Sequence, residues 1–399
     1  MAEDLDSAQV STSPSAAASA QAERPLGLEQ FRDIVRGHYP DRTVASFEAV
    51  RPTIGRSGLC TTYILALDPP ATSFLTVCGP DAQARGAPAE GTPDASAHAT
   101  DQGDAHETNQ DDAPPPGMPH TLELIAHLAE RIRTHTSLPV PAPVLGARAR
   151  LRYMLTAPAP LERPVPLSEA ALTPEQRALV DLRLGRAFAE LHENVQNDWF
   201  GLPVAPAPAP AHSLPALPAL AGLPALAAAP ADTAYSWQAT FTGLLEDLLQ
   251  RLPPAAAAAV PLAALRAALA RAIGAFLFDD AAVPALVAPT GSAACVFVQA
   301  CAGDGGDVRA VVAPAPALAH AVFGDPLLEG VFLPPGPGAA FEEGYGRAPV
   351  VFPRQRTKRL WYTLFAALLA LAAGPDDAEA GALRMAVETA EALKTAPAY

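Results

Sequence analysis

The sequence predicts an α+β protein of two lobes, a small β-rich lobe followed by a larger helical one. Three observations lead there. The chain has 399 residues, half of them hydrophobic, enough for two lobes with their own cores. Before residue 80, one helical pattern is followed by three strand-like runs. Beyond residue 160, the long periodic segments are mostly helical.

Residues 1–24 are rich in Ser, Ala and Gln and are expected to be disordered. The small lobe is placed at 25–160. Leu26 to His38 has apolar residues at helical spacing. Strands are expected at Thr43–Val50, Thr61–Leu67 and Ser73–Cys78, with turns at Arg56-Ser57-Gly58 and Asp68-Pro69-Pro70. Residues 80–119 are acidic and nearly free of large apolar groups, so they read as a disordered insertion. His98 and His106 in it, and His120 beside it, are irregularly spaced and read as solvated rather than metal-binding. LELIAHLAERIRTH, from Leu122, is a helix of about four turns, ended by the prolines of SLPVPAPVL. Leu151–Leu155 is the next strand, and APAPLERPVPL links the lobes.

The large lobe is placed at 161–399. Thr173-Pro174-Glu175 is a helix start, with Thr as cap and Pro in the first turn. A Pro/Ala-rich insertion covers 204–231. Helices follow at 236–252 and Leu262–Phe278, short β segments within 286–312, and helices at 354–373 and Ala378–Leu393.

The formal charge of −15 argues against a nucleic-acid or anionic-membrane surface, since both require clustered Lys and Arg. Leu360–Gly374, the most apolar stretch, is shorter than the roughly 20 residues of a membrane span. The acidic start MAEDLDSAQ has no signal-peptide character, which points to a cytoplasmic protein. Cys60, Cys78, Cys295 and Cys301 lack zinc spacing and are expected as four reduced thiols. There is no GxSxG, HExxH or GxxxxGK[ST] pattern.

Several segments in order carry a resemblance. They are TSLPVPAPVL (136–145), LGRAFAELHENVQNDWFGLP (184–203), SWQATF (236–241), GDPLLE (324–329) and FEEGYGR (341–347). Together they resemble the fungal branch of the aminoglycoside phosphotransferase and fructosamine-kinase-like family, over about residues 40–395 less the two insertions. The resemblance implies a bilobal protein-kinase-like fold. It also implies a small-lobe Lys on the α- and β-phosphates, a helix Glu holding that Lys, a catalytic Asp, and an Asn and an Asp on magnesium.

At those places stand Thr76 for the Lys, Glu123 for the Glu, Thr290 for the catalytic Asp, Cys295 for the Asn and Ala313 for the metal Asp. The first lysine of the chain is Lys358. Three acids are candidates to compensate: Asp304 and Asp307 in the turn CAGDGGDV, otherwise read as turn residues, and Asp325, structural in the family. His192 is read as packing behind the loop, Asp279 and Asp280 as a helix-end turn, and Arg56 as an exposed loop residue more than a phosphate contact.

The expected function is that of a catalytically inactive, pseudokinase-like protein that binds a small molecule or a protein partner and needs no cofactor. The alternative is an active ATP-dependent small-molecule phosphotransferase with relocated residues, using ATP and magnesium. A third reading makes the acidic insertion a recruiter of basic partners.

Overall fold

The computed structural model describes residues 27–50, 60–78, 119–148, 151–205, 232–301, 307–372 and 379–398. The segment 1–24, the turn Arg56-Ser57-Gly58, His98, His106, Asp304 and nearly all of both insertions lie outside the described residues.

In the small lobe, helix α1 (Leu28–His38) buries Phe31, Ile34 and Val35. It precedes strands β1 (Thr43–Ala49), β2 (Cys60–Asp68) and β3 (Ala71–Cys78), then helix α2 (Leu122–His135), β4 (Pro143–Arg148) and β5 (Leu151–Thr156). The five strands form one antiparallel sheet in the order β1-β2-β3-β5-β4. Central β3 is buried along its whole length, and alternation splits its side chains between two cores. Leu75 and Val77 join Leu65, Leu67 and the α1 residues. Phe74 and Ile64 point the other way, to the large lobe.

Helix α2 starts where Thr121 Oγ1 accepts the Leu124 N–H at 3.3 Å. Its bounds are those read from its apolar spacing, because cap and proline stop are both local signals.

The large lobe holds β6 (Val165–Pro166), α3 (Pro174–Asn194), α4 (Trp237–Gln250), α5 (Pro254–Ala259) and α6 (Leu262–Gly274). Next come β7 (Ala285–Val287), β8 (Val296–Ala300), β9 (Val308–Val312), α7 (Pro314–Leu318) and β10 (Val322–Gly324). The chain then forms α8 (Ala339–Tyr345), α9 (Pro353–Ala372) and α10 (Glu379–Thr395). The strands of this lobe pair into two small sheets, β6-β8-β9 and β10-β7. Trp361, Tyr362, Leu364, Phe365 and Leu368 of α9 fill the middle of the helical core. This is an α+β arrangement of two lobes, a small β-rich one followed by a larger helical one. No helix of the described residues is long and apolar enough to cross a membrane.

Three expectations are corrected. The helix read as Leu262–Phe278 ends at Gly274; Phe276 takes φ 54°, and the turn delivers Leu277 and Phe278 into the core. Cys60 and Cys78 are not free thiols: they face each other across β2 and β3 and are joined as a disulfide, leaving Cys295 and Cys301 free. His120 is not solvated. It is 4% exposed, and its Nε2 lies 2.7 Å from the Ala321 carbonyl oxygen.

Candidate functional site

The site is built on the loop between β7 and β8. Its backbone is tied from both sides. Ala288 N–H donates to Glu329 Oε2 at 3.0 Å, and Gly330 N–H donates to the Ala288 carbonyl at 3.1 Å. Pairing of β8 with β9 sets Val296 opposite Val312, and Ala313 N–H donates to the Cys295 carbonyl at 2.9 Å. These bonds hold Cys295 and Ala313 together at one end of the small sheet, with Thr290 beside Cys295, and Ala313 packs in a cluster with Phe74 of the small lobe.

The chemistry offered there is poor in charge. Thr290 is 5% exposed, and its buried Oγ1 has no hydrogen-bond partner. Burial pushes the Cys295 thiol up, so it stays protonated near neutral pH; it lies 4.0 Å from the Thr290 carbonyl oxygen. Ala313 is fully buried. Magnesium requires hard oxygen ligands in octahedral geometry, and a hydroxyl, a thiol and a methyl group do not fit it. Among the described residues, no group of three His, Cys, Asp or Glu is placed to hold a metal ion.

On the small-lobe side, Thr76 is 3% exposed, and its Oγ1 is hydrogen-bonded to Thr62 Oγ1 at 2.9 Å. Glu123, in the first turn of α2, is ion-paired with Arg152 of β5. Arg152 sits opposite Cys78 on β3, one strand away from where a lysine would be needed. Sequence reading did not single out this arginine, because its partner is set by strand register.

Of the candidate compensating acids, the two among the described residues, Asp307 and Asp325, are engaged elsewhere. Asp325 Oδ1 accepts the Leu327 N–H at 2.9 Å, and its Oδ2 accepts the Tyr362 hydroxyl at 2.8 Å. Lys358, only 3% exposed, is ion-paired with Asp325 and with Asp280, the latter at 2.6 Å. Trp237 Nε1–H donates to the Tyr362 oxygen at 2.8 Å, so the tryptophan of SWQATF joins the same buried network. Burial, and then the Asp325 charge, push the Tyr362 hydroxyl well up. Asp307 is paired with Arg183 of α3 at 2.9 Å on the surface, and that bond holds its carboxyl below the usual range. His192 packs behind the loop, with Nδ1 2.8 Å from the Tyr345 hydroxyl and Nε2 3.4 Å from Glu329.

Between the lobes lies a compact apolar cluster. Phe74 and Ile64 come from the small lobe, Leu161 from the linker, and Phe297, Val311 and Ala313 from the large lobe. The Phe74 and Phe297 rings are 5.1 Å apart, tilted by 55°. Behind the loop, a cavity of about 590 Å³ is walled mainly by apolar side chains, among them Ile132, Phe188, Cys295, Phe341 and Met385.

The two lobes meet at a site poor in charge, where Thr76, Thr290, Cys295 and Ala313 stand at the places the resemblance assigns to a lysine, two aspartates and an asparagine. No family profile matches the chain, and no curated protein matches it. Solved structures of similar chain trace exist. One is a candidate fructosamine-3-kinase from Thermobifida fusca, 17% identical, TM-score 0.49, with 92% of this chain and 99% of that chain covered. A candidate fructosamine-3-kinase from Haemophilus somnus is 11% identical, TM-score 0.48, with 91% and 96% covered. A thermostable mutant of aminoglycoside phosphotransferase APH(4)-Ia, in ternary complex with ADP and hygromycin B, is 15% identical, TM-score 0.48, with 92% and 99% covered.

Proposed function

We propose that this protein is a kinase-like binding protein that does not transfer phosphoryl groups. The reading is carried by the joint replacement of lysine, catalytic aspartate, metal asparagine and metal aspartate by Thr76, Thr290, Cys295 and Ala313. Phosphoryl transfer depends on neutralising and positioning the phosphates, and mostly on metal ions and cations that do so. Thr290 does not serve as general base, because its hydroxyl does not ionise near neutral pH. The relocated-residue alternative loses support from Asp325 and Asp307, whose carboxylates are bonded to Lys358, Tyr362 and Arg183. The apolar-walled cavity behind the loop suits the body of an apolar small ligand, which supports binding as the activity. The test is ATP turnover with magnesium, against a panel of amino sugars and other hydroxyl compounds. The expected result is no transfer above the protein-free rate. Turnover that is lost in Asp325→Asn or Asp307→Asn would establish the relocated-residue enzyme instead.

A further inference from the structure

The place where a nucleobase would lie is defined by what surrounds it. If phosphates were held at Thr76, Cys295 and Ala313, the rest of a nucleotide would extend along β3 away from that end, towards the linker between the lobes. Side chains on one face of a strand recur every second residue. The neighbour of Thr76 on its face, one step nearer the linker, is therefore Phe74. From the large lobe, Phe297 lies two residues beyond Cys295.

We propose that this place is filled permanently by the phenyl ring of Phe74, closed against Phe297, so that the chain's own side chains join the lobes where a nucleotide base would otherwise do so. Phe74 is 1% exposed and Phe297 4% exposed, and Leu161 of the linker, at 2%, seals the edge. Ala313 belongs to the same cluster, so the apolar filling reaches the position where a metal ligand would stand.

The linker backbone is also spent. Ala157 N–H donates to the Ala142 carbonyl, Ala159 N–H to Thr72, and Leu161 N–H to Ala159, at 2.7, 2.7 and 2.8 Å. Residues 158 and 160 are prolines and have no N–H. Thr72 Oγ1 donates to the Leu161 carbonyl at 2.8 Å, and Arg309 to the Pro160 carbonyl at 3.0 Å. No N–H from 157 to 161 is left for the edge of a base. The rings join the lobes at the place of the base, and the spent backbone offers its edge no hydrogen bond.

This inference goes beyond the absence of phosphoryl transfer, and adenosine separates the two because it carries no phosphate. The first arm is thermal unfolding of the full chain with millimolar adenosine, and with ADP in the absence of magnesium. No shift in the melting temperature is expected. A rise of several degrees with adenosine would overturn the proposal, while leaving the non-transferring reading intact if ATP is still not turned over.

The second arm is hydrogen exchange of Phe74→Ala, with Phe297→Leu, which keeps an apolar side chain, as the milder variant should Phe74→Ala fail to fold. Exchange at the amide of Val312, which donates to the Pro139 carbonyl across the lobes at 2.9 Å, is expected to speed up roughly tenfold while that of the α9 amides stays unchanged, since loss of the ring frees the lobes locally. Equal exchange in variant and wild type would show that the rings do not join the lobes.

Discussion

Residues here act through what burial does to them. His120 stands at the start of the segment leading to α2, with one ring nitrogen on the Ala321 carbonyl and a buried Nδ1 that has no partner. Burial lowers its pKa below the ordinary value of 6.5, against a smaller opposing pull from that carbonyl. The native chain therefore binds fewer protons than the unfolded chain once pH falls below about 6.5. The stability linked to neutral His120 is complete above that pH and drains away as pH falls towards the lowered native value. His120→Gln keeps an amide donor for Ala321 and does not titrate. The difference in unfolding free energy between wild type and His120→Gln, measured by urea at pH 7.5 and at pH 5.5, is expected to move against the wild type as pH falls. Comparing the two proteins cancels the contribution of His127, whose pKa burial also lowers. A difference independent of pH would rule out this role for His120.

Elements meet where the sequence leaves out side chains. Helix α3 lies against α8, and a Cβ on Gly185 would run into the Phe341 carbonyl oxygen, as one on Gly344 would into Leu182. Gly185→Ala is therefore expected to destabilise by about 1–3 kcal/mol, the usual range for forced overpacking. Gly243 in α4 is the opposite case: nothing lies within 4 Å of its Cβ position, and Gly243→Ala is expected to stabilise by roughly 0.5–1 kcal/mol through helix propensity. Urea midpoints that move in the same direction for both would refute the close α3–α8 approach. Elements with a local cause were legible: α2 from its period and proline stop, and the start of α3 from Thr173, whose side chain accepts the Gln176 N–H at 3.2 Å. Helix α7 and strand β10 were not, because five and three residues carry no readable period.

At the scale of the whole molecule, the order of a small β-rich lobe and a larger helical one, with a cleft between them, could be read along the chain. What fills the cleft could not. β3 is buried throughout, so its pattern does not say which face carries Phe74 to the other lobe. In the sequence Lys358 stands out only as the first lysine of the chain, and the fold sets it between Asp280 and Asp325. Both facts depend on register and on contacts between distant segments.

The same distinction decides whether lost chemistry can be restored. Thr76→Lys, Thr290→Asp, Cys295→Asn and Ala313→Asp together would return every charged or amide group the resemblance expects. Yet Ala313→Asp would put a carboxylate into the cluster around Phe74 and Phe297, and Thr76→Lys an ammonium at a position only 3% exposed. Buried charges without partners destabilise strongly, and Glu123 is already paired with Arg152. The fourfold variant is therefore expected to melt well below the wild type and to show no magnesium-dependent stabilisation by ADP. Adding Phe74→Ala removes the ring that blocks the base, and only this fivefold variant is expected to gain such stabilisation. If the fourfold variant alone binds ADP with magnesium, the cleft has room for a nucleotide and the loss of chemistry lies in the four residues only.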